Sequence, residues 1–336
     1  MPVLLPHRAT DAFLDLALAG DRSEAVRLTT DLVEEGFSLP TILTEVIGAA
    51  QCEVGRRWQR AELTAADEHL VTGISHAALA ALSSNGHRRA SHGTAVVACA
   101  EGDWHALPSQ MFAESLRATG LGVLHLGASV PAADVGALLE RRRPDGLVVT
   151  CNLPLSYLGV ARLADAAHRY GVPVLAGGRA LTPERALTLG ADAWAADVTR
   201  AAEILRAWRR SRPDVPAPPV DLEPAAVELT RRAAGLAERA SDALLGAFPA
   251  MASYDDRQRD HTREDLAAIV RFLGAARLVD DDEVFTSFTS WLEEVLTSRG
   301  VPVEALAAGM TVLAPLVREV DESSAGLLEA AVARLG

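Results

Sequence analysis

The sequence predicts an α/β domain with a flavodoxin-like, doubly wound parallel sheet, preceded by a helical bundle and followed by a second all-α domain. Three observations predict it. Between residues 91 and 212, short apolar runs alternate with stretches long enough for helices, as repeated strand–helix–strand units require. Two of the runs, 94–100 and 146–150, are apolar without interruption, as strands covered on both faces are. On either side of this block, apolar residues recur at the three- and four-residue spacing of helices.

Residues 1–90 read as four or five helices. Phe13, Leu14, Leu16, Ala17 and Leu18 share a face, as do Val26, Leu28, Leu32 and Val33, and Ile42, Leu43, Val46 and Ile47. Gly20-Asp21 and Gly36 separate these segments, and Asp21-x-x-Glu24 resembles a capping box. A last helix is expected over 64–83, opened by Thr64-x-x-Asp67. A bundle of this size can lie over a flat ligand. In 91–212, strands are expected over 94–100, 122–126, 146–150, 173–176 and 191–195. The intervening helices fall at 109–119, 132–142, 155–170, 183–189 and 198–210. His125, Trp194 and Cys151 are expected to pack rather than to ligate. Prolines 213, 216, 218, 219 and 224 mark a semi-rigid linker, placed at 213–220. Residues 221–336 carry 21 acidic against 11 basic residues and show helical spacing in Leu229, Ala233, Leu236 and Ala240, then in Leu266, Ile269, Val270 and Leu273, then in Leu306, Met310 and Leu313. Asp280-Asp281-Asp282 reads as an acidic helix start.

Composition excludes several classes. A formal charge of −13 argues against a nucleic-acid surface. All basic residues are arginine, so neither a Walker lysine nor a Schiff-base lysine exists. Cys52, Cys99 and Cys151 are widely spaced, which fits a reduced, cytoplasmic setting and no cysteine metal site. No apolar run approaches 18 residues and no secretory leader is visible, so no membrane contact is expected.

The stretch with the clearest chemistry is Cys99-Ala100-Glu101-Gly102-Asp103-Trp104-His105-Ala106-Leu107-Pro108, between an expected strand and a helix beginning near Pro108. Loops after strands of an open parallel sheet are where such sheets bind ligands. A carboxylate two residues from a histidine can fix one ring nitrogen and leave the other for a metal. An ordinary polar loop would look the same. The pattern resembles the cobalamin-binding signature Asp-x-His-x-x-Gly, in which the histidine becomes the lower axial ligand of cobalt. The resemblance implies that Asp103 and His105 hold the corrinoid, with further contacts from Thr150 and Asn152 in Thr150-Cys151-Asn152 and from the pair Gly177 and Gly178. Pro108 stands where the signature has glycine, a departure that bears on the loop rather than on the histidine.

Within the bundle, Trp58 is followed after nine residues by Glu68-His69. A core tryptophan and two surface polar groups would satisfy the pattern. The spacing also resembles the Trp-x9-Glu-His motif of CarH-type light sensors. That resemblance covers 1–212 and implies bound adenosylcobalamin, with Trp58 packing on the adenosyl group and Glu68 hydrogen-bonding it. His69 would take the upper cobalt position after light breaks the cobalt–carbon bond. Neighbouring helix positions are about 100° apart, so Glu68 can face the ligand while His69 waits beside it. The metal ligands implied are therefore His105 and His69. CarH-type repressors carry a DNA-binding domain before the bundle; this chain is expected to lack it and to act through an unidentified output protein, as a homo-oligomer and not as an enzyme. The rival reading is a corrinoid carrier of a methyltransferase system, which has the same lower histidine but needs an open upper face.

In the last domain, Tyr254, Arg257, Arg259, His261 and Arg263 form a cation-rich segment, and Phe285, Phe288 and Trp291 repeat at one-turn spacing. A helical dimerisation or regulatory module accounts for both, with the aromatics as core. The domain order also resembles the photocobilin group, in which a globin-like module binds a bilin. That implies biliverdin held by the arginines, His261 and Tyr254 against the aromatic stripe. The pigment would be non-covalent, because every cysteine lies before residue 152.

Overall fold

The computed structural model describes residues 6–83 and 93–335. The bundle is α1 (Pro6–Leu18), α2 (Arg22–Glu34), α3 (Leu39–Thr41), a π-helical segment (Ile42–Gly48), α4 (Ala49–Gln59) and α5 (Ala65–Ser83). Both expected starts form. The Asp21 carboxylate accepts from the Glu24 N–H, and Thr64 and Asp67 cap one another reciprocally, at 2.8 and 3.2 Å. The helix from Leu39 to Gln59 keeps helical dihedrals across its π segment. Phe13, Leu14, Ile42, Leu43, Ile47 and Leu79 fill the bundle core. Leu107 and Met111 of the next domain join that core, so the bundle is seated on the sheet domain through one helix.

That helix is α6 (Ala106–Ala118). It begins at Ala106 rather than near Pro108, and Pro108 occupies its first turn, where an N–H has no intrahelical partner to lose. The strands β1 (Thr94–Cys99), β2 (Gly122–His125), β3 (Gly146–Thr150), β4 (Val174–Gly177) and β5 (Ala193–Trp194) pair in parallel in the order β2-β1-β3-β4-β5. This is the flavodoxin-like order, with its reversal between β1 and β3. Every residue of β3, and all of β1 after Thr94, is buried.

The crossovers are α6, α7 (Ala132–Arg142), α8 (Tyr157–His168) and α9 (Pro183–Thr188), and α10 (Val198–Arg210) follows the last strand. Two expectations change. The helix expected over 155–170 is a 3₁₀ turn, Pro154–Ser156, followed by α8. The strand expected over 191–195 shrinks to two residues, because only Ala193 and Trp194 find register partners on β4. Trp194 packs as expected, its indole N–H donating to the Leu181 carbonyl at 3.2 Å.

The proline-rich linker is tied down. Arg212 donates to the Gly171 and Pro144 carbonyls, at 2.9 and 2.7 Å, and the Val220 N–H donates to Asp165 at 2.6 Å. The C-terminal region is all helical: α11 (Pro224–Ala247), α12 (Asp256–Val279), α13 (Glu283–Ser298), α14 (Val303–Arg318) and α15 (Glu322–Leu335). Its apolar residues form one continuous core with the α8 side of the sheet, from Tyr157 and Val160 through Leu273 to Phe285. Arg185 of α9 binds Asp281 at 2.8 Å across the junction. The acidic triplet divides: Asp280 closes α12 in a left-handed conformation, and Asp281 accepts from the Glu283 N–H at the start of α13.

Candidate functional site

Asp103 and Asn152 lie just past the carboxyl ends of β1 and β3, where the strand order reverses. Asp103 is 1% exposed and uses both carboxylate oxygens. Oδ1 accepts from the His105 backbone N–H at 2.9 Å and from His105 Nδ1 at 2.8 Å. Oδ2 accepts from the Asn152 backbone N–H at 2.8 Å and from its side-chain amide at 3.3 Å. Burial alone would raise the Asp103 pKa, but the hydrogen bonds from His105 and Asn152 outweigh it and hold the carboxyl below its ordinary value. The same Asp103 bond, against the opposing effect of burial, raises the His105 pKa. With Nδ1 committed to Asp103, Nε2 is the nitrogen left to meet a ligand, on a ring 53% exposed.

The signature residues on the other loops shape backbone rather than reach outward. Gly178 has φ +109°, and a Cβ there would overlap the Cys151 carbonyl. A Cβ on Gly177 would come 2.9 Å from the Ala195 carbonyl. Gly178 lets the β4 loop press on the β3 loop, where Cys151 is buried and Asn152 turns toward Asp103, and Gly177 lets β4 approach the end of β5. Thr150 is also buried, its hydroxyl 3.5 Å from the Ala98 carbonyl. Gly159, in α8, was not singled out by the sequence; a Cβ there would overlap the Glu101 backbone. Glu101 in turn receives the Ala132 N–H and Arg162, each at 3.3 Å, so the histidine loop is fixed from below. The only sequence signal for Gly159 was a glycine inside an expected helix.

Above the loop, α5 brings Glu68 close enough to His105 for its charge to contribute to the raised imidazole pKa. The Thr72 hydroxyl lies 3.0 Å from Glu68 and 3.1 Å from Gln51, whose amide donates to Ser75 at 2.9 Å. The His69 ring is 81% exposed, with Nδ1 2.8 Å from the Ala65 carbonyl and 2.7 Å from Glu68. Arg179, next to the glycine pair, reaches Cys52 of α4 at 3.3 Å, so α4 lies over that loop. Trp58 engages the C-terminal region. Its ring stacks on Trp291, with centroids 6.3 Å apart and planes at 21°, and the Arg299 guanidinium sits 4.6 Å from its centre. Trp58 was expected to pack on an adenosyl group; a contact with the C-terminal region was not foreseen.

The cation-rich segment does not converge. Arg257 and His261 share one face of α12, where His261 meets Glu264 at 3.2 Å. Arg259 and Arg263 lie on another face; Arg259 donates to the Tyr254 carbonyl at 3.0 Å and Arg263 pairs with Asp260. Phe285 and Phe288 are buried in the core, with Phe288 stacked on Phe272 at 3.7 Å, and Trp291 is taken by Trp58. The aromatic stripe expected to wall a pigment is therefore used in packing.

Among the described residues no group of three His, Cys, Asp or Glu side chains could hold a metal ion. One oriented imidazole nitrogen suits a metal that arrives with its own equatorial ligands, so the residues present fit a corrinoid. Residues 93–215 match a family model described as B12 binding domain, and residues 9–83 match a second model of the same description. The chain carries B12-binding domains. Over 189 residues it is 31% identical to the HTH-type transcriptional repressor CarH of Myxococcus xanthus. That match covers 54% of this chain and 62% of the relative, so the chain spans less than two thirds of that protein. The monomethylamine corrinoid protein of Methanosarcina barkeri shares the fold over 60% of this chain and 99% of its own, with a TM-score of 0.53 and 20% identity. Among the described residues no helix is long and apolar enough to cross a membrane.

Proposed function

We propose that this B12-binding chain is a light sensor that uses adenosylcobalamin, and a signalling protein rather than an enzyme. The Asp103–His105 pair, locked by Asn152 at the sheet's reversal point, supports the cobalamin site, and the observation that carries the sensor reading is Glu68 on α5, near enough for its charge to act on His105. Adenosylcobalamin, when bound, supplies a light-labile cobalt–carbon bond. His105 Nε2 would hold the metal, and Asp103 would keep Nδ1 protonated. Glu68 offers a carboxylate to the adenosyl group and Trp58 an apolar surface. His69, exposed on α5, would be the residue available as a second cobalt ligand. Output runs to a protein partner, with the chain as a homo-oligomer. For the C-terminal region we favour a regulatory module over a biliverdin site, because its cations and aromatics are directed apart.

One observation favours the corrinoid-carrier alternative: His69 is exposed rather than held over the site, as a carrier whose upper face must open to partners allows. Absorption spectra of the full chain with adenosylcobalamin, in the dark and after illumination, separate the two. A sensor should give a dark complex whose illuminated product changes in His69→Ala while dark binding does not. An identical illuminated spectrum in that variant removes the ligand switch. Equal affinity for methyl- and adenosylcobalamin favours the carrier.

A further inference from the structure

We infer that Trp291 and Arg299 of the C-terminal region are positioning residues for Trp58, so that the upper side of the cobalamin site is completed by that region. The inference rests on the proposed adenosylcobalamin reading and adds a role for residues outside both B12-binding matches.

The contacts converge on one helix end. The last turn of α4 leaves carbonyls beyond its helical ladder; that of Trp58 accepts the Ala61 N–H at 3.0 Å and still has a lone pair to offer. Ser298 Oγ donates to the Gln59 carbonyl at 2.8 Å, and Arg299 donates to the same carbonyl at 3.4 Å. Arg299 Nη2 donates to the Trp58 carbonyl at 3.1 Å. A cation at this end also complements the helix dipole. Gln59 itself bonds Glu294 through its side chain. Arg299 therefore grips Trp58 twice, at its backbone and over its ring, while Trp291 stacks on the ring.

The grip is anchored. Trp291 lies 6.1 Å from Phe288, which stacks on Phe272 in the C-terminal core. A run of four rings, Phe272, Phe288, Trp291 and Trp58, thus links that core to the end of α4. Trp58 is only partly buried, and a partly buried indole held by its own helix alone would be free to change rotamer. The C-terminal region removes that freedom. By thermodynamic reciprocity, a ligand that needs Trp58 in one orientation is felt at Trp291 and Arg299.

The test uses the full chain in the dark, titrated with adenosylcobalamin and separately with hydroxocobalamin, which lacks the adenosyl group. Arg299→Ala and Trp291→Ala should each weaken adenosylcobalamin binding by about threefold to tenfold, the scale of one cation–π or ring contact. Hydroxocobalamin binding should be unchanged. Trp58→Ala should show the same selectivity, and adding Arg299→Ala to it should cost nothing more. Arg299→Lys should recover part of the loss. If Trp291→Ala loses helical circular dichroism, Trp291→Phe is read in its place. Parallel weakening of both cobalamins, or no weakening of either in folded variants, overturns the inference. Failure of the wild-type chain to bind any cobalamin is a different result: it removes the parent reading, and this one with it.

Discussion

The two sides of the candidate site are built differently. Below, Asp103 is buried, makes four hydrogen bonds and fixes His105 before any ligand arrives. Above, His69 is exposed and Trp58 is held by a region distant in sequence. The difference teaches where each side gets its order. The lower side spends a buried carboxylate, which is tolerable only because every lone pair is used. On the upper side His69 stays near solvent, where reorientation is cheap, while Trp58 is held by Trp291 of α13 and by Arg299.

The comparison breaks first at His105. His105→Ala should abolish lower-axial ligation, give a base-off spectrum, and weaken cobalamin retention by more than the roughly 10–100-fold typical of changes behind a metal ligand. An unchanged spectrum would show that the prepared side is not the cobalt side. Asp103→Asn should cost affinity within that 10–100-fold range, because the tautomer is no longer imposed.

The same substitution sharpens the comparison in apo-protein stability. His105 has a raised pKa, so its stabilising share is full below the ordinary histidine value and fades as pH climbs through the raised one. Asp103 has a lowered pKa, so its share is full above the ordinary aspartate value and fades as pH falls through the lowered one. The stability lost in Asp103→Asn should therefore peak between about pH 4 and 6.5 and shrink toward pH 9. Urea midpoints across pH check this, and a flat difference would mean that the pair is not charged in the fold.

Gly178→Ala tests whether the prepared side depends on close backbone approach. Its φ of +109° and the Cys151 carbonyl in the way should lower stability by about 1–3 kcal/mol, with cobalamin affinity falling as Asn152 shifts. A variant as stable as wild type would remove Gly178 from the account.

The smallest effect is expected near the borrowed side. Burial pushes the Asp265 carboxyl up to about 6, partly offset by His261 and Arg299. A raised acid destabilises the fold only where it is ionised. Asp265→Asn should therefore stabilise at pH 8 by on the order of 1 kcal/mol, a gain that vanishes by about pH 4. Loss of stability at pH 8 would show instead that the carboxylate supports Arg299.

The sequence by itself determined the three-part architecture, the parallel sheet and the loop histidine. Those rest on local signals: uninterrupted apolar runs for 94–100 and 146–150, helical spacing in the bundle, and Asp103 two residues from His105. The Asp103–His105 bond is legible for the same reason, since two residues in one tight loop meet whatever else the chain does. Strand length at the edge was not legible, because β5 ends where β4 ceases to offer partners. The aromatic stripe was not legible either. Phe285, Phe288 and Trp291 have one spacing, yet two serve the core and the third reaches the bundle. Only the tertiary structure decided the partners of Trp58 and the divergence of the arginines on α12. Contacts across more than 200 residues depend on how separately folded faces dock, and helical spacing fixes a residue's direction on its own helix but not what stands opposite it.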